Sequence, residues 1–394
     1  MELFDDHRRT DSRPSGHSES QWHFFDRVAG AYWDQVRDLL AGWFDNLRDD
    51  ETQKSIRGRM RSGDNADFRS AFAELYVHET LIRSGYAVTY EPSIPGSSRR
   101  PDFLAEREND SLIVEVTTRA TLENDRAGAK REAALHDALN STPTENFFLD
   151  FDVDARGPGD IGARPLKKAL VTWMKTLDPD AVATSLSNHE YDAVPKFNFS
   201  RDGWEIVFRA FPVAKDRRGP DSNRRAIGMS GGGVRVVNDR EIIRKALSDK
   251  THAYGSLDRP FVIALALDTF DRDEETEAAL YGGPTVELAV APDGSWVQSA
   301  GREADGYWTR PDAVGRSQVS GLLILPGSPL GIAKSSPTLW SHPNPDREVP
   351  TLPSWAKMRV VGGLLERSDA QIQPWQFFGL EEDWPVGVAF GDNA

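Results

Sequence analysis

The sequence has no cysteine. That excludes a disulfide framework, a thiolate metal site and a cysteine nucleophile, and it removes the usual mark of a secreted chain, so a cytoplasmic location is expected. No stretch approaches the roughly 18 apolar residues of a membrane span, and the opening MELFDDHRRTDSRPSGHSES has no apolar segment, so membrane insertion is not expected. The eight histidines are scattered without an HExxH pair, which leaves zinc without a motif, and no G-x-S-x-G elbow is present. Positive charge is the scarcer sign: 47 Lys and Arg stand against 62 Asp and Glu, a net charge of -15. This argues against broad nonspecific attraction to nucleic acid but leaves a local cleft open.

What is present has the balance of a folded globular chain, with 39% hydrophobic and 28% charged residues. A length of 394 residues fits one large α/β domain with insertions or two smaller domains. Residues 1–20 read as a disordered tail. Within a helical segment at 21–65, QWHFFDRVAGAYWDQVRDLLAGWFDNL reads as an aromatic-rich amphipathic helix or helix pair. A polar, Arg-rich connection at 49–66 leads to the helix FRSAFAELYVHETLIRSG, which Gly85 is placed to end. On its wheel Ala71, Glu74, Leu75, His78, Leu81 and Ile82 share the interior face, with Arg69, Thr80 and Arg83 opposite.

Three short β-type segments follow, YAVTYEP, PDFLAE and SLIVEVTT, then a helix from Arg126 to Leu139 and the strand NFFLDFDV. A helix from Arg164 to Leu177, the strand WEIVFRAFPV and the glycine-rich GMSGGGVRV come next; the last lacks a P-loop's Lys-Ser/Thr and reads as a hairpin or loop. The helix DREIIRKALSDKTHAYG then runs into the apolar strand PFVIALALD. A core over 66–270 and a β-rich extension over 271–394, with VELAV and VSGLLILP as strands, complete the expected organisation. Basic clusters occur at Arg57, Arg59, Arg61 and Arg69, at Arg99 and Arg100, and at Arg217, Arg218, Arg224 and Arg225; each reads as solvated charge. The aromatic groups Trp22 with Phe24 and Phe25, and Tyr307 with Trp308, read as core.

One stretch calls for chemistry. RRPDFLAERENDSLIVEVTT places Glu115 between Val114 and Val116 in a β-branched strand. A carboxylate buried there charged and unpaired is costly, so it requires a metal, a cation or a strand-end position. Asp102 opens the preceding strand, and the twelve residues between the two acids are enough for a hairpin that sets them side by side. A divalent cation would relieve their repulsion. Mg²⁺, a hard ion that favours oxygen ligands and retains waters, suits the pair, with the Val116 carbonyl as a third ligand.

The order of a helix with a glutamate (AELYVHETL), Pro101-Asp102, then Glu115-Val116-Thr117 on the next strand resembles the PD-(D/E)XK nuclease superfamily, the restriction-endonuclease-like fold, over residues 68–153. The resemblance implies an α/β fold with an αβββαβ core, its mixed sheet flanked by helices. It makes Glu74 the helix glutamate, Asp102 and Glu115 the metal-binding acids, and Mg²⁺ or Mn²⁺ the cofactor. The implied reaction is hydrolysis of phosphodiester bonds, the cation polarising the phosphate and lowering the pKa of an attacking water. DNA rather than RNA is the implied partner, in bacterial defence or DNA maintenance, with a homodimer or a defence-system partner as the protein contact.

One position departs from the pattern: the motif lysine is Thr117, which cannot supply positive charge to the transition state. Arg119 on the same strand, Lys130 on the next helix and Lys250 on the later helix are the candidate replacements. Lys250 is favoured, because Lys250-x-x-x-Tyr254 resembles the Gln or Lys plus Tyr that some members carry on the helix after the third motif. Residues 120–235 then hold a large insertion. The alternative is a catalytically degenerate module of the same fold that binds nucleic acid or a protein, its acids paired with Arg99, Arg100 or Arg119. His78, one turn after Glu74, reads as a hydrogen-bonded core histidine.

Overall fold

The computed structural model describes residues 1–118, 126–188, 191–220, 225–227, 239–267, 272–290, 296–309, 317–361 and 364–390. Helices α1 (Gln21–Arg27), α2 (Ala31–Asp45), α3 (Asp50–Met60) and α4 (Asn65–Arg83) precede strands β1 (Ala87–Tyr90), β2 (Phe103–Arg107) and β3 (Asp110–Thr118). Then come α5 (Arg126–Asn140), β4 (Phe147–Ala155), α6 (Ala163–Met174), α7 (Pro179–Ser187), β5 (Lys196–Arg201) and β6 (Trp204–Pro212). The chain continues through α8 (Asp239–Thr251), β7 (Phe261–Leu267), α9 (Arg272–Tyr281), β8 (Pro284–Val290), β9 (Trp296–Arg302) and β10 (Val319–Pro326). It ends with β11 (Thr338–Ser341), β12 (Ala356–Val361), β13 (Leu364–Ser368) and α10 (Pro374–Phe378).

These elements form two compact units: Met1–Arg13, Ser20–Glu123 and Asn238–Gly391 make the first, and Pro14–Glu19, Asn124–Val237 and Asp392–Ala394 the second. The first is built on a mixed sheet of order β1-β2-β3-β7-β10-β11-β12-β13. β1, β2 and β3 are antiparallel neighbours, whereas β3, β7 and β10 run parallel. Parallel strands are covered on both faces, which is why FVIALAL and VSGLLILP are apolar or small throughout and buried along their length. Helix α4 begins at Asp64, whose side chain accepts the Ala66 N–H at 2.8 Å, and ends where Gly85 takes φ +85°.

The second unit has an antiparallel sheet of order β4-β6-β5, with Asp202-Gly203 turning between β5 and β6 at positive φ. Leu166, Leu170 and Met174 of α6 and Leu135 and Leu139 of α5 pack with Phe147, Leu149 and Phe208 in its core.

Several sequence expectations change here. NFFLDFDV is β4 of the second unit's sheet, not a neighbour of β3. That place belongs to β7, because β4 alternates Phe and Leu with Asp150 and Asp152 and so can bury only one face. The connection at 49–66 contains α3, whose Thr52, Ile56 and Met60 form a buried stripe at a spacing of four. Thr80 is buried, not solvent-facing, and donates to the Tyr76 carbonyl at 2.8 Å; α4 is enclosed on both sides, with Phe25 and Trp43 of the preceding helices in the same core. Residues 1–20, read as a tail from their polarity, place Leu3 and Phe4 in the first unit's core. The extension expected at 271–394 carries strands of the main sheet itself, since β10 pairs with β7. The segment GMSGGGVRV lies outside the described residues. Among those described, no helix is long and apolar enough to cross a membrane.

Candidate active site

Strand β3 presents two faces. Val114 and Val116 pack with Ala71 and Leu75 of α4, whereas Ile113 packs with Ile243 and Leu247 of α8, so Glu115 and Thr117 belong by alternation to the α8 face. Glu115 is 4% exposed and lies level with Ile263 of β7. β2 begins where Phe103 pairs with Val114, so Asp102 stands just before the ladder, one step from Glu115. Its Oδ2 accepts the Val116 N–H at 2.6 Å. A strand residue's N–H and C=O lie on the same edge, so the Val116 carbonyl also faces Asp102 and not β7.

Helix α8 supplies a cation. Lys250 Nζ donates to Glu115 Oε1 at 2.5 Å, and the Tyr254 hydroxyl donates to Glu115 Oε2. The helix ends at Thr251, short of the run expected from the sequence, and Tyr254 follows in a bend before Gly255 at φ +70°. The two side chains therefore converge through a turn and not through helical spacing. Burial and the adjacent Glu115 carboxylate hold the Tyr254 hydroxyl well above its ordinary pKa, which keeps it a donor.

Glu74 reaches this region from α4, on the other side of the sheet. Both of its oxygens are held by Arg59 of α3, at 2.5 and 2.6 Å. Burial opposes the charge on Arg59, but the two-pronged Glu74 pair outweighs it and raises the pKa. Asp102 receives less compensation. Burial, then Glu115, then Glu74 push its carboxyl up to about 8, against the Val116 N–H and Lys250, which pull it down. The direction of the shift shows that Arg59 and Lys250 do not fully compensate the three acids if Asp102 ionises.

Of the residues named from sequence, the structure brings Asp102, Glu115, Lys250 and Val116 together and sets Glu74 close enough to raise Asp102. Among the described residues no three His, Asp or Glu side chains form a ready metal cage; Glu115 is engaged by Lys250 and Tyr254, and Glu74 by Arg59. The donor set still suits a hard cation, because a half-buried acid whose pKa is raised by desolvation and by Glu115 and Glu74 is relieved by positive charge. Thr117, 3% exposed, has an Oγ1 without a hydrogen-bond partner, two residues from Glu115 on the same face. Arg119 lies outside the described residues, and Lys130 is exposed on α5 of the second unit. Arg59 pairs with Glu74 and Lys250 with Glu115, whereas neither Arg99 nor Arg100 pairs with these acids. Sequence reading missed the Arg59–Glu74 pair; its signal was the stripe of α3, masked by the surrounding charge. His78 is drawn down to about 4 by burial, its ring 5.7 Å from that of Tyr90, and its Nδ1 lacks the hydrogen bond expected of it. Comparisons with protein-family models, with curated proteins and with solved structures return no match.

Proposed function

We propose that the chain is a metal-dependent nuclease that hydrolyses phosphodiester bonds in DNA. One observation carries the reading: Lys250, 135 residues away in sequence, is delivered to the strand carboxylate Glu115 beside a partly buried, uncompensated Asp102. The order α4, β1, β2, β3, α8, β7, with the second unit inserted between β3 and α8, supports a restriction-endonuclease-like αβββαβ core. Asp102, Glu115 and the Val116 carbonyl would hold Mg²⁺ or Mn²⁺, which supplies charge neutralisation and an activated water. Lys250, with 29% of its side chain exposed, supplies positive charge at the site in place of Thr117 and stabilises charge on the phosphate. Tyr254 fixes the second oxygen of Glu115, and Arg59 keeps Glu74 ion-paired next to Asp102.

The test is incubation of duplex DNA with the protein in Mg²⁺ or Mn²⁺ and in excess chelator. Cleavage that needs the cation and disappears in Asp102→Ala is the expected result. Intact DNA under every condition would favour a noncatalytic module, a reading to which the engagement of Glu74 and Glu115 by Arg59 and Lys250 lends weight.

A further inference from the structure

Helix α6 buries Leu166, Leu170 and Met174 and has no acidic residue in its sequence, ARPLKKALVTWM. Arg164, Lys167 and Lys168, with Lys175 at its C-cap, fall within a sector of about 100° at 100° per residue. The stripe extends about 16 Å along the axis at 1.5 Å per residue. Arg164, Lys168 and Lys175 are exposed and Lys167 half-buried, and among the described residues none of the four has an ion-pair partner. Several other cations of this unit are paired, Arg156 with Glu132, Arg209 with Asp150 and Asp152, and Lys215 and Arg218 with Asp180; Lys130, Arg131 and Lys196 have no ion-pair partner among the described residues either, but α6 gathers four such cations on one face. Arg164 also stands in the first turn, where the helix dipole disfavours a cation, behind a Gly162 N-cap that offers no side-chain acceptor. The dipole favours Lys175 at the C-cap, but it does not explain Arg164, Lys167 and Lys168 toward the N-terminus, and the four like charges on one face repel one another.

We propose that the outer face of α6 is a docking surface for the phosphate backbone of duplex DNA, with Arg164, Lys167, Lys168 and Lys175 as its contacts. The choice of DNA rests on the nuclease reading; the polyanionic partner rests on charge complementarity alone. A row of cations about 16 Å long matches a run of phosphates, because duplex DNA carries a charge every ~1.7 Å of its axis. The helix reads no base sequence; it adds affinity through counterion release.

The experiment measures binding of a fluorescent duplex oligonucleotide by the full chain in chelator, across a series of NaCl concentrations. Wild type is compared with the fourfold variant Arg164→Gln, Lys167→Gln, Lys168→Gln and Lys175→Gln, with each single variant, and with Lys215→Gln, an exposed cation that already has a partner. The expected result is a fall of about 3 to 4 in the slope of log affinity against log salt for the fourfold variant, roughly 0.9 for each phosphate that is no longer neutralised. Each single variant should lose about a quarter of that, which keeps the test valid if the fourfold chain misfolds. Lys215→Gln should leave the slope in place. An unchanged slope in the quartet, or an equal change in Lys215→Gln, overturns the proposal. So does a quartet effect seen on phosphatidylserine vesicles and absent on DNA. A chain that fails to cleave DNA but shows the slope change loses the nuclease reading alone; one that cleaves DNA with an unchanged slope loses this surface alone.

Discussion

The two units of the molecule treat acidic residues in opposite ways. In the second, Asp150 and Asp152 of β4 share Arg209 of β6 across the strand pair, at 3.0 and 2.5 Å, with all three side chains partly in water. The Asp152 hydrogen bond raises the Arg209 pKa, and the group is a settled surface network of the kind worth about 1 kcal/mol or less. In the first, Glu115, Glu74 and Asp102 gather where the sheet is covered on both faces, and burial and the two glutamates raise the Asp102 pKa despite Lys250. The overall charge follows the same division. Residues 124–237 hold 17 Lys and Arg against 16 Asp and Glu, so the acidic excess of the chain lies elsewhere. Acids paired on a surface serve the fold, whereas acids crowded against a covered interior strand with too little counter-charge cost stability that a bound ligand can return.

That contrast predicts four outcomes. The largest is loss of DNA cleavage in Asp102→Ala or Glu115→Ala, by at least about a hundredfold, with duplex binding retained; gel-based cleavage and anisotropy read the two separately. Next, Lys250→Met should slow cleavage about a hundredfold and lower the metal-free melting temperature, since it leaves the buried Glu115 without its cation; the loss of rate should persist well below that melting temperature. A third concerns pH. The Asp102 carboxyl is raised from 3.8 to about 8 in the folded chain, so the native state keeps a proton that the unfolded state releases. Metal-free stability from this group is therefore full below about pH 4 and is lost as pH rises toward 8, a decline that Asp102→Asn should remove from urea melts recorded across that range. The smallest effect belongs to the other unit: Arg209→Met should cost about 1 kcal/mol or less and leave cleavage unchanged. A large loss of cleavage in that variant would erase the distinction between the two acid groups.

How much of this was legible in the sequence varied with the range of the interaction. Asp102 and Glu115 were readable because a hairpin is local: a Pro-Asp entry and a β-branched strand twelve residues on fix the register. The neighbour of β3 was not, since NFFLDFDV and PFVIALALD both read as strands and only burial on two faces selects the second. Lys250 was found through its Tyr254 partner, although the helix stops at Thr251 and a turn, not helical spacing, completes the approach. Arg59 remained hidden because its use depends on α3 folding back along α4, and that packing is written only in Thr52, Ile56 and Met60 among charges.

The most direct test of the central claim, that the Asp102–Glu115 pair is a cation site, is calorimetric titration of Mn²⁺ at pH 7 in two buffers of different ionisation enthalpy. Because the Asp102 pKa is raised, metal binding there should displace a proton. Binding accompanied by release of about one proton is expected in wild type, and neither binding nor proton release in Asp102→Ala. Absence of binding in wild type, or binding of equal strength in the variant, would contradict the claim.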